Sequence, residues 1–315
     1  MSSYDLKGGF AIVTGAGSGI SHALTEYLLE AGASVMLADL RLRPEAEATV
    51  QKYPHPPQTA GAPSAIYQPT DTGDWSQLSA LFAAALRAFG RVDIVVNGAG
   101  IYEPPSSTFW HAPGVSPLAI DDPDARIGQY QTFAVNTTGP IRLAQIAIDY
   151  WLENREVAGS LLWLASVGGY VHSMQSPMYF ASKAAIVSFV RSLAALRKML
   201  GIRNSALCPG ATYTPIFHPE YCRDRIRPDD MTMTPQECAA VAMRILQEPQ
   251  YGDGSILEAM KIGSREDSSI NVREVPLEAL YPTMGPVGQD NHLLEEEEKF
   301  VHKLQTKGMR RWSEA

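Results

Sequence analysis

Phe10-Ala11-Ile12-Val13-Thr14-Gly15-Ala16-Gly17-Ser18-Gly19-Ile20-Ser21 is the stretch that decides the fold. Its first four residues are an apolar run ending at Thr14-Gly15, as a buried strand entering a tight turn does. From Ser18 the period changes: Ile20, Ala23, Leu24, Tyr27, Leu28 and Ala31 recur at helical spacing, and Gly32 stops the helix. Strand, glycine-rich turn and helix come in the order that brings backbone close to a pyrophosphate, with the helix N-terminus supplying amide donors and positive potential. A plain tight turn is the alternative, and only context raises the phosphate reading above it. Asp39 closes the next strand, Ser34 to Asp39, where a carboxylate can accept both ribose hydroxyls; a strand-end cap is its other use. A carboxylate there repels a 2′-phosphate, so NAD is favoured over NADP. Arg41 and Arg43 are the residues that speak for NADP.

Outward from this stretch the alternation continues. Pro44 opens a short helix, residues 53–63 form a surface loop, and Ala65 to Gln68 is a third strand. Trp75, Leu78, Leu81, Phe82, Ala85 and Phe89 mark an amphipathic helix, and Val92 to Val96 is an aliphatic fourth strand of the kind buried on both faces. This predicts an α/β fold, a Rossmann-type doubly wound parallel sheet. Residues 101–127 are expected to be a long loop, and 126–154 a helix kinked near Gly139-Pro140. A strand over 161–165, a helix over 178–200 and a strand over 202–207 follow. After them come a loop over 209–233, a helix over 235–247 and a last strand over 255–260. Residues 1–260 are therefore expected to form a single catalytic domain. Residues 261–315 are expected to be a polar C-terminal extension with a helix around 293–304.

The 315 residues are 45 % hydrophobic and 19 % charged, which excludes a disordered chain and a long charged coil. A net charge of −8 argues against a nucleic-acid partner. No apolar run approaches the roughly 18 residues of a membrane span. Met1 to Gly9 lacks the basic start and apolar core of a secretory leader. Cys208, Cys222 and Cys238 have no metal-ligand spacing and read as free thiols in a reducing, cytoplasmic setting. The seven dispersed histidines give no metal set either.

Tyr179 and Lys183 are four residues apart, on one face of a helix. A phenol titrates near 10, too high for a base at neutral pH, and a neighbouring ammonium lowers it. A packed tyrosine beside a solvated lysine is the bland alternative. Ser166 ends the fifth strand, where the strand ends of a doubly wound sheet border the ligand crevice; its hydroxyl could hold a substrate oxygen or simply end a strand. Asn136 is a poor helix former in mid-helix, fit to hold a kink or a water.

Together these residues resemble the short-chain dehydrogenase/reductase family, in order and spacing, from about Leu6 to Met260. Thr14-Gly15 with Ser18, Gly19 and Ile20 resembles its cofactor turn, with Asp39 and Leu40 at the ribose. Asp71 with Thr72 resembles the segment that meets the adenine. Asn97-Gly98-Ala99-Gly100 resembles its Asn-Asn-Ala-Gly motif with one asparagine missing, and Ser21 replaces the turn's third glycine. Asn136, Ser166, Tyr179 and Lys183 match the catalytic tetrad. Pro209, with Thr212 and Thr214, matches the segment that closes over the nicotinamide. Within the family the chain looks most like the NAD-dependent 15-hydroxyprostaglandin-dehydrogenase-like branch, closest to fungal members, some acting on aromatic polyketide alcohols. Asp39 to Ala46 and Ile101-Tyr102-Glu103-Pro104-Pro105 carry that likeness. The resemblance implies hydride exchange between a nicotinamide and a secondary alcohol or ketone. It also implies a homodimer or homotetramer built on the helices expected at 126–154 and 178–200.

The expected activity is thus NAD-dependent alcohol–ketone interconversion. The alternatives are a dehydratase or cyclase using Ser166 and Tyr179, and an inactive dinucleotide-binding regulator. Trp110, His111, His172, Met174, Tyr213, Phe217, His218 and Tyr221 lie in loops expected to border the site, which suits a bulky aromatic or lipidic substrate. Loop packing is the alternative for each.

Overall fold

The computed structural model describes residues 4–227, 229–276 and 291–310. One eight-stranded sheet runs in the order β3-β2-β1-β4-β5-β6-β7-β8. The strands are β1 (Phe10–Thr14), β2 (Ser34–Asp39), β3 (Ala65–Pro69), β4 (Ile94–Asn97), β5 (Ser160–Leu164), β6 (Arg203–Pro209), β7 (Asp253–Gly263) and β8 (Ser268–Glu274). The first seven pair in parallel, and β8 closes the edge antiparallel to β7. Chain order reverses between β1 and β4, so the crevice lies at their C-terminal ends.

The sheet is apolar on both faces, as parallel strands covered by helices must be. On β1, Ala11 and Val13 pack towards α1 (Gly19–Glu30) and α8 (Pro235–Gln247), where Leu24, Leu28, Val241 and Ile245 lie. Ile12 points the other way, to α3 (Trp75–Phe89), α5 (Gly139–Glu153) and α6 (Pro177–Ser192). The remaining helices are α2 (Pro44–Lys52), the single turn α4 (Gln131–Phe133), α7 (Leu196–Leu200) and α9 (Asn291–Lys307).

Four expectations need correction. The helix expected over 126–154 begins at Gln131 and passes through a π-helical segment, Ala134–Thr138, before α5. The irregularity thus precedes Gly139-Pro140. Pro140 has no amide to give to the Asn136 carbonyl four residues back, so the ladder widens there. The helix expected over 178–200 breaks between α6 and α7. There the Asn204 side chain donates through Nδ2 to the Val190 carbonyl at 2.8 Å, and the Ala194 backbone amide turns to the Arg191 carbonyl. The last expected strand is longer than 255–260, and the boundary placed at 260/261 falls inside β7. Finally, the polar stretch after it contains β8, whose Ile270 and Val272 alternate onto the core. The helix expected around 293–304 is α9. The Arg155 guanidinium donates to the Leu304 and Gln305 carbonyls, and Gln305 donates to the Met199 carbonyl at 2.8 Å.

Candidate active site

A cleft of about 970 Å³ opens at the C-terminal ends of the strands, around the β1–β4 reversal. One end of it is built from the turn after β1. Gly15 has φ +69°, and a Cβ on it would fall 2.8 Å from the Ala99 Cα, so only glycine lets the two turns touch. Thr14 ties them: its hydroxyl donates to the Val96 carbonyl and accepts from the Gly98 and Ala99 amides at 3.0 and 3.2 Å. At the start of α1, Ser18 makes no side-chain cap and no acidic residue stands in the first turn. The helix N-terminus is left to an external acceptor.

Asp39 Oδ2 accepts from the Gly17 amide at 2.9 Å, whereas Oδ1 has, among the described residues, only the Arg41 amide, at 3.5 Å. One carboxylate therefore both holds the turn and keeps an oxygen for a diol. Asp71 Oδ1 accepts from the Gly73 amide at 2.8 Å. Ser18, Gly19, Ile20, Leu40, Thr72, Pro209, Thr212 and Thr214 also line the cleft. Thr212 is fixed by a bridge to Met233 and a contact of its hydroxyl with Cys238 Sγ at 3.3 Å. Arg41 and Arg43 line the same end, with Arg43 engaged by Glu45 at 3.3 Å. Glycine backbone at contact distance, an uncapped helix N-terminus and a half-free carboxylate fit a dinucleotide. Asn97 does not line the cleft: it is buried, and neither side-chain polar atom has a hydrogen-bond partner among the described residues.

The reactive end gathers Ser166, Tyr179 and Lys183. Ser166 caps a short turn by accepting from the Gly168 amide at 2.9 Å. Burial pushes the Tyr179 phenol up to about 12, with its hydrogen bond to Ser166 pulling the other way. Burial pushes the Lys183 ammonium down to about 8. Lys183 Nζ lies 5.9 Å from the Tyr179 ring centre and donates to the Leu164 carbonyl at 2.9 Å. Desolvation sets the direction of the phenol's shift, and the lowering by the ammonium expected from their spacing is not among its causes. Asn136 stands behind the cleft in the π segment. Its Oδ1 accepts from the Ile101 amide and its Nδ2 donates to the Ile101 carbonyl, at 2.9 and 3.0 Å.

The wall beside Tyr179 differs from the expected one. Phe217 lines it, but Trp110, His111, His172, Met174, Tyr213, His218 and Tyr221 do not. Trp110 donates to the Met174 carbonyl, and His111 bonds Ser116. The wall is Tyr102, Val171, Phe180, Ile216, Phe217 and Ile226. Tyr102 went unread. Its ring lies 4.6 Å from that of Tyr179 and 5.2 Å from that of Phe217, and the signal was its place directly after the β4 turn.

Against known proteins, a family model described as short chain dehydrogenase matches residues 9–223. The chain belongs to this family. This short-chain dehydrogenase is 31 % identical over 217 residues to 15-hydroxyprostaglandin dehydrogenase (NAD(+)) of Rattus norvegicus, covering 67 % of this chain and 71 % of that one. The Homo sapiens protein of the same name is 30 % identical over the same length, covering 67 % and 71 %. A crystal structure of 3-ketoacyl-(acyl-carrier-protein) reductase from Brucella melitensis complexed with NADH superposes with a TM-score of 0.63. It is 28 % identical and covers 80 % of this chain and 97 % of that one. A short-chain type dehydrogenase/reductase from Mycobacterium marinum, 22 % identical, covers 81 % of this chain and 94 % of that one at a TM-score of 0.64, and shares the fold. Among the described residues no helix is long and apolar enough to cross a membrane.

Proposed function

We propose that this short-chain dehydrogenase interconverts a secondary alcohol and a ketone with NAD, and that its substrate is bulky and aromatic or lipidic. One observation carries the reading. Tyr179, together with Ser166 in the cleft lining and one turn from Lys183, faces the same cleft whose far end presents Oδ1 of Asp39. A bound nicotinamide supplies the hydride acceptor and, oxidised, a positive charge near the phenol.

The chain's own groups do the rest. Ser166 holds the substrate oxygen, and Tyr179 takes or returns its proton. Lys183 supplies positive charge below a pH of about 8. Asn136 fixes the strand-to-loop segment at Ile101. The apolar wall of Tyr102, Ile216 and Phe217 supports a flat or fatty alcohol over a small polar one. The relatives named for NAD(+) and the NADH-bound neighbour support NAD, as does Asp39. The same reading includes a cytoplasmic homodimer or homotetramer acting in secondary metabolism.

The test is titration of the purified protein with NADH and NADPH, followed by nicotinamide fluorescence. NADH binding at least tenfold tighter than NADPH is expected. The reverse preference would mean that Arg41 or Arg43 outweighs Asp39. No binding of either would end the oxidoreductase reading.

A further inference from the structure

Tyr179 is held from a direction that its own helix does not supply. Ser176, at the N-cap of α6, makes no side-chain cap. The amide of Tyr179, third residue of that helix, would be one of its unsatisfied donors. Glu103 supplies the acceptor from the loop after β4: its Oε2 accepts from the Tyr179 amide at 2.8 Å. Its other oxygen accepts from the Thr108 hydroxyl at 2.6 Å and the Phe109 amide at 3.3 Å. The residue is 6 % exposed. Through its bond to Tyr179, Glu103 supplies the side-chain acceptor that the N-cap of α6 lacks.

The backbone at Glu103 is unusual as well. Its φ is +31°, the sole positive value at a non-glycine residue among those described. Pro104 follows and narrows the choice of conformation further. Such a turn persists only where its surroundings hold it. It carries the chain from Tyr102, whose ring packs tilted against that of Tyr179, to a carboxylate that grips the Tyr179 backbone.

The other side of the Tyr179 residue is held too. Its carbonyl accepts from the Ser182 hydroxyl at 2.6 Å, and that hydroxyl accepts from Asn136 Nδ2 at 3.1 Å. Asn136 clamps Ile101, two residues before Glu103. The hydrogen bonds close a ring through Asn136, Ile101, Glu103, Tyr179 and Ser182. A loop anchor alone would need only the bonds to Thr108 and Phe109. The bond to Tyr179 spans 76 residues and ends on the proton-transfer residue.

We infer that Glu103 is a positioning residue for the reaction, fixing the backbone of Tyr179 so that the phenol meets the substrate oxygen. This rests on the role proposed for Tyr179. Small misplacements of a reacting group cost about a hundredfold in rate.

The test uses the full-length chain and three variants, with turnover of methyl naphthyl carbinol normalised to NADH sites counted by fluorescence. Glu103→Leu keeps the size and removes the acceptor. At least a tenfold loss of kcat is expected, with KM and NADH affinity within twofold of wild type. Glu103→Gln keeps an acceptor at the same length and should restore most of kcat. Should the leucine variant fail to fold, Glu103→Asp keeps the charge one methylene short of Tyr179, and the same kcat loss is expected. Wild-type kcat per site in the leucine variant, or in the aspartate variant in its place, overturns the inference and leaves Glu103 a loop anchor. Amide exchange at Tyr179 reads the same contact without turnover: faster exchange there, with the rest of α6 unchanged, is expected in Glu103→Leu. Unchanged protection overturns the inference. Failure of the underlying reading shows separately, as full turnover by Tyr179→Phe.

Discussion

Tyr179 and Lys183 face each other across one helical turn, and burial moves them in opposite directions, the phenol up to about 12 and the ammonium down to about 8. A phenol that holds its proton at neutral pH is ready to donate it, so ketone reduction should run near neutrality without prior ionisation. Alcohol oxidation needs the phenolate. Its kcat should keep rising with pH up towards about 12 while that of reduction stays level or falls, measured as paired pH profiles. Parallel profiles would contradict this. Lys183 also bears on stability. Its folded pKa lies below the unfolded one, so the unfolded chain binds more protons between about 8 and 10.5, and stability rises with pH across that window. Below it, holding the ammonium buried costs on the order of 3 kcal/mol, offset by its bond to Leu164 at about 1 kcal/mol. Lys183→Met should therefore raise Tm at pH 7 by a few degrees while removing turnover. A lower Tm would contradict the desolvation argument. Ser166, Tyr179 and Lys183 were legible because their spacing on strand end and helix is local. Glu103 was not, since its partner lies 76 residues away.

The turns after β1 and β4 depart from the family pattern together. Ser21 stands where the cofactor turn has its third glycine, and Gly98 replaces an asparagine. In the structure the two positions meet. A Cβ on Gly98 would run into the Ser21 hydroxyl, and would lie 2.8 Å from the Thr14 carbonyl. The serine is accommodated because residue 98 has no side chain. Gly98→Ala should cost about 2 kcal/mol, and combining it with Ser21→Gly should recover about half, a coupling measurable in a double-mutant cycle by thermal unfolding. Additive effects would mean the two positions are independent. Strands and helices up to residue 97 were legible because their apolar periods are unbroken. The kink expected near Gly139-Pro140 appears as a π segment just before it, because the effect of Pro140 is exerted on the carbonyls before it. β8 was hidden because only Ile270 and Val272 alternate within an otherwise polar run.

At the scale of the molecule, the sheet continues past the point where an extension was expected. Arg273 on β8 pairs with Glu258 on β7 at 2.7 Å, and Glu258 accepts from the Tyr170 hydroxyl at 2.8 Å. The outer strand is thus tied to the loop that carries Val167 and Val171 into the cleft. Truncation after Met260 removes β8 and the end of β7, and should lower Tm by at least about 10 °C or leave the chain insoluble. Truncation after Pro276 keeps the sheet and should retain NADH binding. Equal stability of the two truncated forms would show β8 to be dispensable. The central proposal is proton transfer by Tyr179, and one comparison tests it most directly. Nicotinamide absorbance would be followed during oxidation of methyl naphthyl carbinol by the wild-type protein and by Tyr179→Phe, with NADH affinity measured for both. The expected result is a stoichiometric absorbance change in the wild type and a loss of at least about a hundredfold in the variant, with NADH affinity kept. Equal turnover by the two proteins would contradict the role of Tyr179.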